Sequence, residues 1–103
     1  MIGRFVIVRT HSAGVHMGYL TACVGTAVEL TESRRLWQWT EAFTLNEVSQ
    51  QGCGEASRIS EPVPEILLTQ AVEVIPCSET AKLNLTRSRN GYQKVSTDSD
   101  EVG

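Results

Sequence analysis

The residues able to do chemistry in this chain gather in two short stretches. The first, RTHSAGVHMG at residues 9–18, sets Arg9, Thr10, His11, Ser12 and His16 around two glycines directly after an apolar run. Consecutive backbone N–H groups in a tight turn can form an anion-binding concavity, and Arg9, Thr10 and Ser12 stand beside it as donors. No GKS or GKT follows, so this is not a phosphate loop of the nucleotide-hydrolase type. His11 and His16 are five residues apart, and a zinc site needs one or two further ligands, for which only Cys23 or a distant carboxylate is at hand. The chain has no G-x-S-x-G elbow and no Cys–His spacing that selects a nucleophile. We therefore assign no catalytic residue, no metal ligand and no cofactor from the sequence.

The second stretch is SRRLWQW, residues 33–39. As a strand, its alternation sends Arg35, Trp37 and Trp39 to one face and Arg34, Leu36 and Gln38 to the other. A guanidinium beside indoles can meet a phosphate while the rings stack on a base or sugar. The alternative is that the indoles fill a core, where each buries a large apolar area. Seven of the nine basic residues are arginines, whose planar five-donor fork suits phosphate and carboxylate. The candidate ligand contacts are Arg9, Ser12, His16, Arg34 and Arg35, with Trp37 as the stacking surface.

The elements that must position these residues are mostly strands. RFVIVR, residues 4–9, is β-branched and aromatic on both faces, which predicts an interior strand. A second strand is expected over Val15–Val24, and Gly25-Thr26 makes a hairpin into AVELT, with SRRLWQW as a fourth strand. Thr44 and Glu47 form a capping box that predicts a helix over 45–51, ended by Gly52. The valines and isoleucines near 65–75 favour strand, and Ser78 caps a brief helix reaching about Asn84. The expected fold is mainly β within the α+β class: a small curled antiparallel sheet, or a barrel, of five to six strands with one or two short helices. Residues 1–86 form one domain in this reading, and 87–103 a polar tail, largely disordered.

Composition narrows the partners. The 103 residues are 41% hydrophobic and 20% charged, as in ordinary globular domains. The net charge of -3 matches the three acids among the last six residues, Asp98, Asp100 and Glu101, so the remainder is neutral. Nucleic acid, which demands a basic field, is not expected as a partner. The three cysteines, Cys23, Cys53 and Cys77, are odd in number and form no CxxC pair, and no signal peptide or membrane span fits. A reducing cytoplasm is the expected compartment.

VIVRTHSAGVHMGYL, LTESRRLWQW and EILLTQAVEVIPCSETAK together resemble a family of short uncharacterised proteins of tailed phages and prophages, over about residues 4–82. In that pattern the positions of His11 and Met17 are commonly aromatic, which argues against catalysis by His11 and for packing by Met17. The resemblance implies a phage-derived protein of the host cytoplasm and carries no activity with it. The expectation built on it is a noncatalytic, self-associating protein that sequesters a small anionic, nucleotide-like ligand to counter host defence. The competing expectations are an inhibitor or adaptor that holds a host protein through the Trp/Arg surface, and a phosphoester-cleaving enzyme.

Overall fold

The computed structural model describes residues 1–38, 44–54 and 57–87. The expectations for Trp39 and for the tail beyond Arg87 lie outside them. Six strands form one antiparallel sheet: β1 (Phe5–Thr10), β2 (Val15–Val24), β3 (Ala27–Gln38), β4 (Arg58–Ile59), β5 (Val63–Leu68) and β6 (Ala71–Pro76). Two helices, α1 (Leu45–Gln51) and α2 (Glu79–Thr86), complete it. The strand order is β4-β3-β2-β1-β6, with β5 also on β3, beside its first half. The apolar run of β1 is interior, between β2 and β6.

The two faces have separate cores. Phe5, Ile7, Met17 and Leu36 point towards α1 and α2, where they pack with Leu45, Val48, Ala81 and Leu85. Val6, Val8, Leu20, Val28, Leu30 and Leu68 form the core of the opposite face. That second core exists because the sheet curls. The β2–β3 hairpin outruns β1, and its tip reaches the short β5–β6 link: the Ala71 N–H donates to the Thr26 carbonyl at 3.0 Å, and the Thr26 hydroxyl donates to the Thr69 carbonyl at 3.0 Å. Of the two expected forms, the curled antiparallel sheet is the one observed, and the described strands do not close into a barrel. β5 and β6 follow one another through Thr69 and Gln70, yet each lies at its own edge of the sheet.

The helix signals act locally, as their residue types require. The Thr44 hydroxyl accepts the Glu47 N–H, and the Ser78 hydroxyl accepts the Ala81 N–H, each supplying one partner that a helix start lacks. Asn84 then ties the helices together, accepting the Cys53 N–H and donating to the Cys53 carbonyl.

The expected third and fourth strands are one strand of twelve residues, interrupted by a bulge against β2 and by a register shift against β4 between Leu36 and Gln38. Between Met17 and Tyr19 the β2 chain advances by two residues, while β3 advances by three, from Arg34 to Thr31. Glu32, at φ 51°, absorbs the extra residue in the left-handed region, at a cost of roughly 1–2 kcal/mol for a residue that is not glycine. Gly18 lies opposite on β2. A Cβ there would sit 2.8 Å from the Thr31 carbonyl oxygen and 3.2 Å from the Ser33 Cα. Only a residue without a side chain lets the bulged backbone approach this closely.

Gly18→Ala is therefore expected to destabilise the fold by about 1–3 kcal/mol, the usual cost of overpacking a close-packed site. Urea denaturation checks this. Unchanged stability would show that the bulge does not need the glycine.

Candidate functional site

The bulge decides which residues of the second stretch face which core. Before it, Val28 and Leu30 point away from the helices; after it, Ser33, Arg35 and Trp37 do, while Arg34 and Leu36 turn towards the helices. Ser33, Arg35 and Trp37 thus stand in a row on one strand, with successive members about 7 Å apart. The cavity beside them has a volume of about 560 Å³, within the range of small-molecule sites. Val63 and Ile66 of β5 form an apolar wall, and His16, Ser60 and Glu61 also line it. Trp37 is 65% exposed at its mouth, so this indole does not fill a core.

Ser33 is the unusual member. It is 2% exposed, and its hydroxyl has no hydrogen-bond partner among the described residues. A buried hydroxyl left unpaired costs about 1–3 kcal/mol, which a bound polar atom recovers. The Arg35 side chain is exposed, and it projects from a strand whose backbone is held on both sides. Its N–H donates to the Ser60 hydroxyl at 2.8 Å, its carbonyl accepts the Ser60 N–H at 2.9 Å, and on β2 it pairs with His16.

His16 is buried directly across from Arg35, and its Nε2 lies 3.0 Å from the Ala13 carbonyl oxygen. A carbonyl only accepts, so Nε2 carries the proton and the neutral ring keeps Nδ1 as its acceptor. Burial depresses the His16 pKa below its ordinary 6.5, and the Arg35 charge adds to this against the opposing effect of the Ala13 bond. The ring is neutral at pH 7.

Arg34 also borders the cavity, but it is only 5% exposed, and its guanidinium runs towards the helix layer. Nη1 donates to the carbonyls of Leu85 and Arg87 at 3.0 and 2.9 Å, and Nε donates to the Ser60 carbonyl at 2.8 Å. It therefore places a cation at the C-terminus of α2, where the carbonyls lack helical partners and the dipole favours positive charge.

Arg9 and Ser12 lie elsewhere. Arg9 Nε is 2.9 Å from Glu73 Oε1 in an exposed ion pair, and the Ser12 hydroxyl donates to Gln70 Oε1 at 2.9 Å. The turn between β1 and β2 consumes its own polar groups: the Thr10 hydroxyl donates to the Gly14 carbonyl and accepts the Ala13 N–H, both at 2.8 Å. His11 borders a separate open hollow of about 330 Å³ with Thr26 and Gln70. Of the sequence candidates, then, the fold brings together His16, Arg34, Arg35 and Trp37 and leaves Arg9 and Ser12 apart. Sequence reasoning missed Ser33, which lay within the quoted stretch, and Ser60, Glu61, Val63 and Ile66, whose proline-punctuated segment carried no chemical signal.

Cysteine chemistry is remote from this cavity. Cys53 and Cys77 are buried and Cys23 is exposed, all three as free thiols. Burial pushes the Cys77 thiol up to about 12 despite the nearby Arg4 charge, which removes it as a nucleophile. Among the described residues, no three His, Cys, Asp or Glu side chains stand close enough to hold a metal ion. No helix among them is long and apolar enough to cross a membrane.

These features define a class: a small, open, curled antiparallel sheet covered by two helices on one face and carrying a small-molecule-sized cavity on the other. Residues 3–85 match the family described as a domain of unknown function, DUF6948, and the chain belongs to it. Neither a curated protein nor a solved structure matches the chain.

Two measurements test these assignments. Arg34→Met is expected to cost about 2–4 kcal/mol, because it strips charged donors from buried carbonyls, whereas Arg35→Met stays within about 0.5 kcal/mol. Urea denaturation of both variants decides it, and equal losses would refute the division of roles. For His16, the unfolded chain takes up a proton near pH 6.5 while the folded chain resists it, so stability rises with pH through this window and is lost below about 6.5. Between pH 7.5 and 5.5 the wild type should lose more stability than His16→Gln. Parallel pH dependences would contradict the neutral buried ring.

Proposed function

We propose that this protein is a noncatalytic binder that sequesters a small anionic, nucleotide-like ligand in the cavity beside Ser33, Arg35 and Trp37. The observation that carries the reading is the buried, unpartnered Ser33 hydroxyl in a cavity that also presents a guanidinium and an exposed indole. Arg35 meets the anionic group, Trp37 stacks on a flat ring, and the Ser33 hydroxyl and neutral His16 supply shorter polar contacts from below. The resemblance to phage proteins supplies the setting, a host cytoplasm in which sequestration counters a defence signal. Self-association fits the outer edge of β6, which no described strand covers.

A second reading has its own observation. Trp37 and Val63, 65% and 45% exposed, stand together at the mouth, and Trp with Arg is a usual anchor set for a protein partner. Such an inhibitor or adaptor would bind a host protein with Arg35 and Trp37 at its centre.

Thermal denaturation with a panel of nucleotides and their phosphate-free nucleosides separates the two. A ligand at about 100 times its Kd adds about 2.7 kcal/mol, which raises the Tm of a domain this size by about 10 °C or more. The shift is expected for phosphorylated members, and should disappear in Arg35→Gln and Trp37→Ala. No shift across the panel, with a host protein retained by the wild type and lost by the same variants, overturns the ligand reading in favour of the second.

A further inference from the structure

Besides Arg34, whose guanidinium is held by backbone carbonyls, two opposite charges line the cavity without neutralising each other. Arg35 and Glu61 both line it, and no ion pair joins them. Ser60 joins the backbones that carry them: its hydroxyl accepts the Arg35 N–H at 2.8 Å and donates to the Glu61 carbonyl at 3.1 Å, and its N–H donates to the Arg35 carbonyl at 2.9 Å. Arg34 holds the same residue from the other face through the Ser60 carbonyl at 2.8 Å. A cavity meant for an anion alone would gain nothing from a carboxylate in its lining, because an ionised carboxylate only accepts hydrogen bonds and repels phosphate.

We propose that Glu61 makes the cavity selective for a nucleotide with a guanine base, an inference that rests on the ligand reading above. The two charges order the ligand. Its phosphate lies at Arg35, and a part rich in donors faces Glu61. The apolar wall of Val63 and Ile66 together with the Trp37 indole encloses a flat ring between them. Among the common bases, guanine alone sets two N–H donors side by side, at N1 and at the 2-amino group, so that both meet one carboxylate. Adenine and cytosine place an acceptor nitrogen beside their amino group, and uracil flanks its single N–H with two carbonyls. Each of these sets an acceptor against the carboxylate, and specificity arises as much from that repulsion as from the guanine contact.

The test is calorimetric titration of the full chain with GMP, AMP, CMP and UMP, in the wild type, Glu61→Gln and Arg35→Gln. Glu61 is exposed, so its substitution leaves the fold intact. The expected result is GMP binding at least about tenfold tighter than the other three, a gap that Glu61→Gln narrows to about twofold by weakening GMP. Arg35→Gln should weaken GMP and AMP alike. Four nucleotides binding within about twofold of one another, as a contact between Glu61 and the ribose hydroxyls would give, overturns the guanine inference and leaves the ligand reading standing. A guanine preference that survives Glu61→Gln overturns the role of Glu61. Absence of binding by all four overturns this inference, and the ligand reading falls with it only if the wider nucleotide panel also gives no shift.

Discussion

One extra residue in β3 governs the arrangement of this protein. A strand alternates its faces with a period of two, so without the bulge at Glu32 the residues that follow Leu30 would present the opposite set of side chains to each core. Arg34 and Leu36 would then face the curled side with Leu30, and Ser33, Arg35 and Trp37 would be driven into the helix layer. The bulge reverses that outcome. It places an apolar segment under the curl and a polar, aromatic segment at its open end, on one continuous strand. Gly18 is the complementary requirement on β2, because the bulged backbone occupies the space of its missing side chain.

The adjacent arginines show how environment separates chemically identical groups. Arg34 is desolvated, and its N–H groups are spent on backbone carbonyls at the end of α2 and at Ser60, so it links the helix layer to the segment that forms the cavity wall. Arg35 keeps an exposed side chain on a backbone clamped between β2 and Ser60. The first has the geometry of a structural brace, and the second keeps its guanidinium open to solvent. His16 lies across from Arg35 as a neutral ring, so no second full charge competes with Arg35 from across the strand pair.

Much of the fold was legible because its signals are local. The β-branched run of β1, the limits of β2, and the hydroxyl caps at Thr44 and Ser78 each follow from residue types within a few positions. The bulge was not legible, since a glutamate in the left-handed region carries no local signature and only pairing on both sides enforces it. The alternation from Ser33 to Trp37 was read correctly, yet the consequence for Arg34 was hidden, because its partners lie 26 to 53 residues away. Arg9 and Ser12 attracted attention by composition. Their real partners, Glu73 and Gln70, meet them only through the pairing of β1 with β6 and the link that precedes it. The cavity wall of Val63 and Ile66 had no sequence signal, since an apolar residue on an edge strand looks the same whether it faces solvent or a ligand.

In the proposed function the bulge builds one ligand surface from Ser33, Arg35 and Trp37, distinct from the β1–β2 turn. A two-dimensional NMR titration with GMP, following backbone amides and the indole Nε1–H, tests it most directly. Shifts are expected to concentrate at Ser33, Arg35, Trp37 and Glu61, with Ser12 and Arg9 unmoved. Shifts centred on residues 9–14 would contradict it.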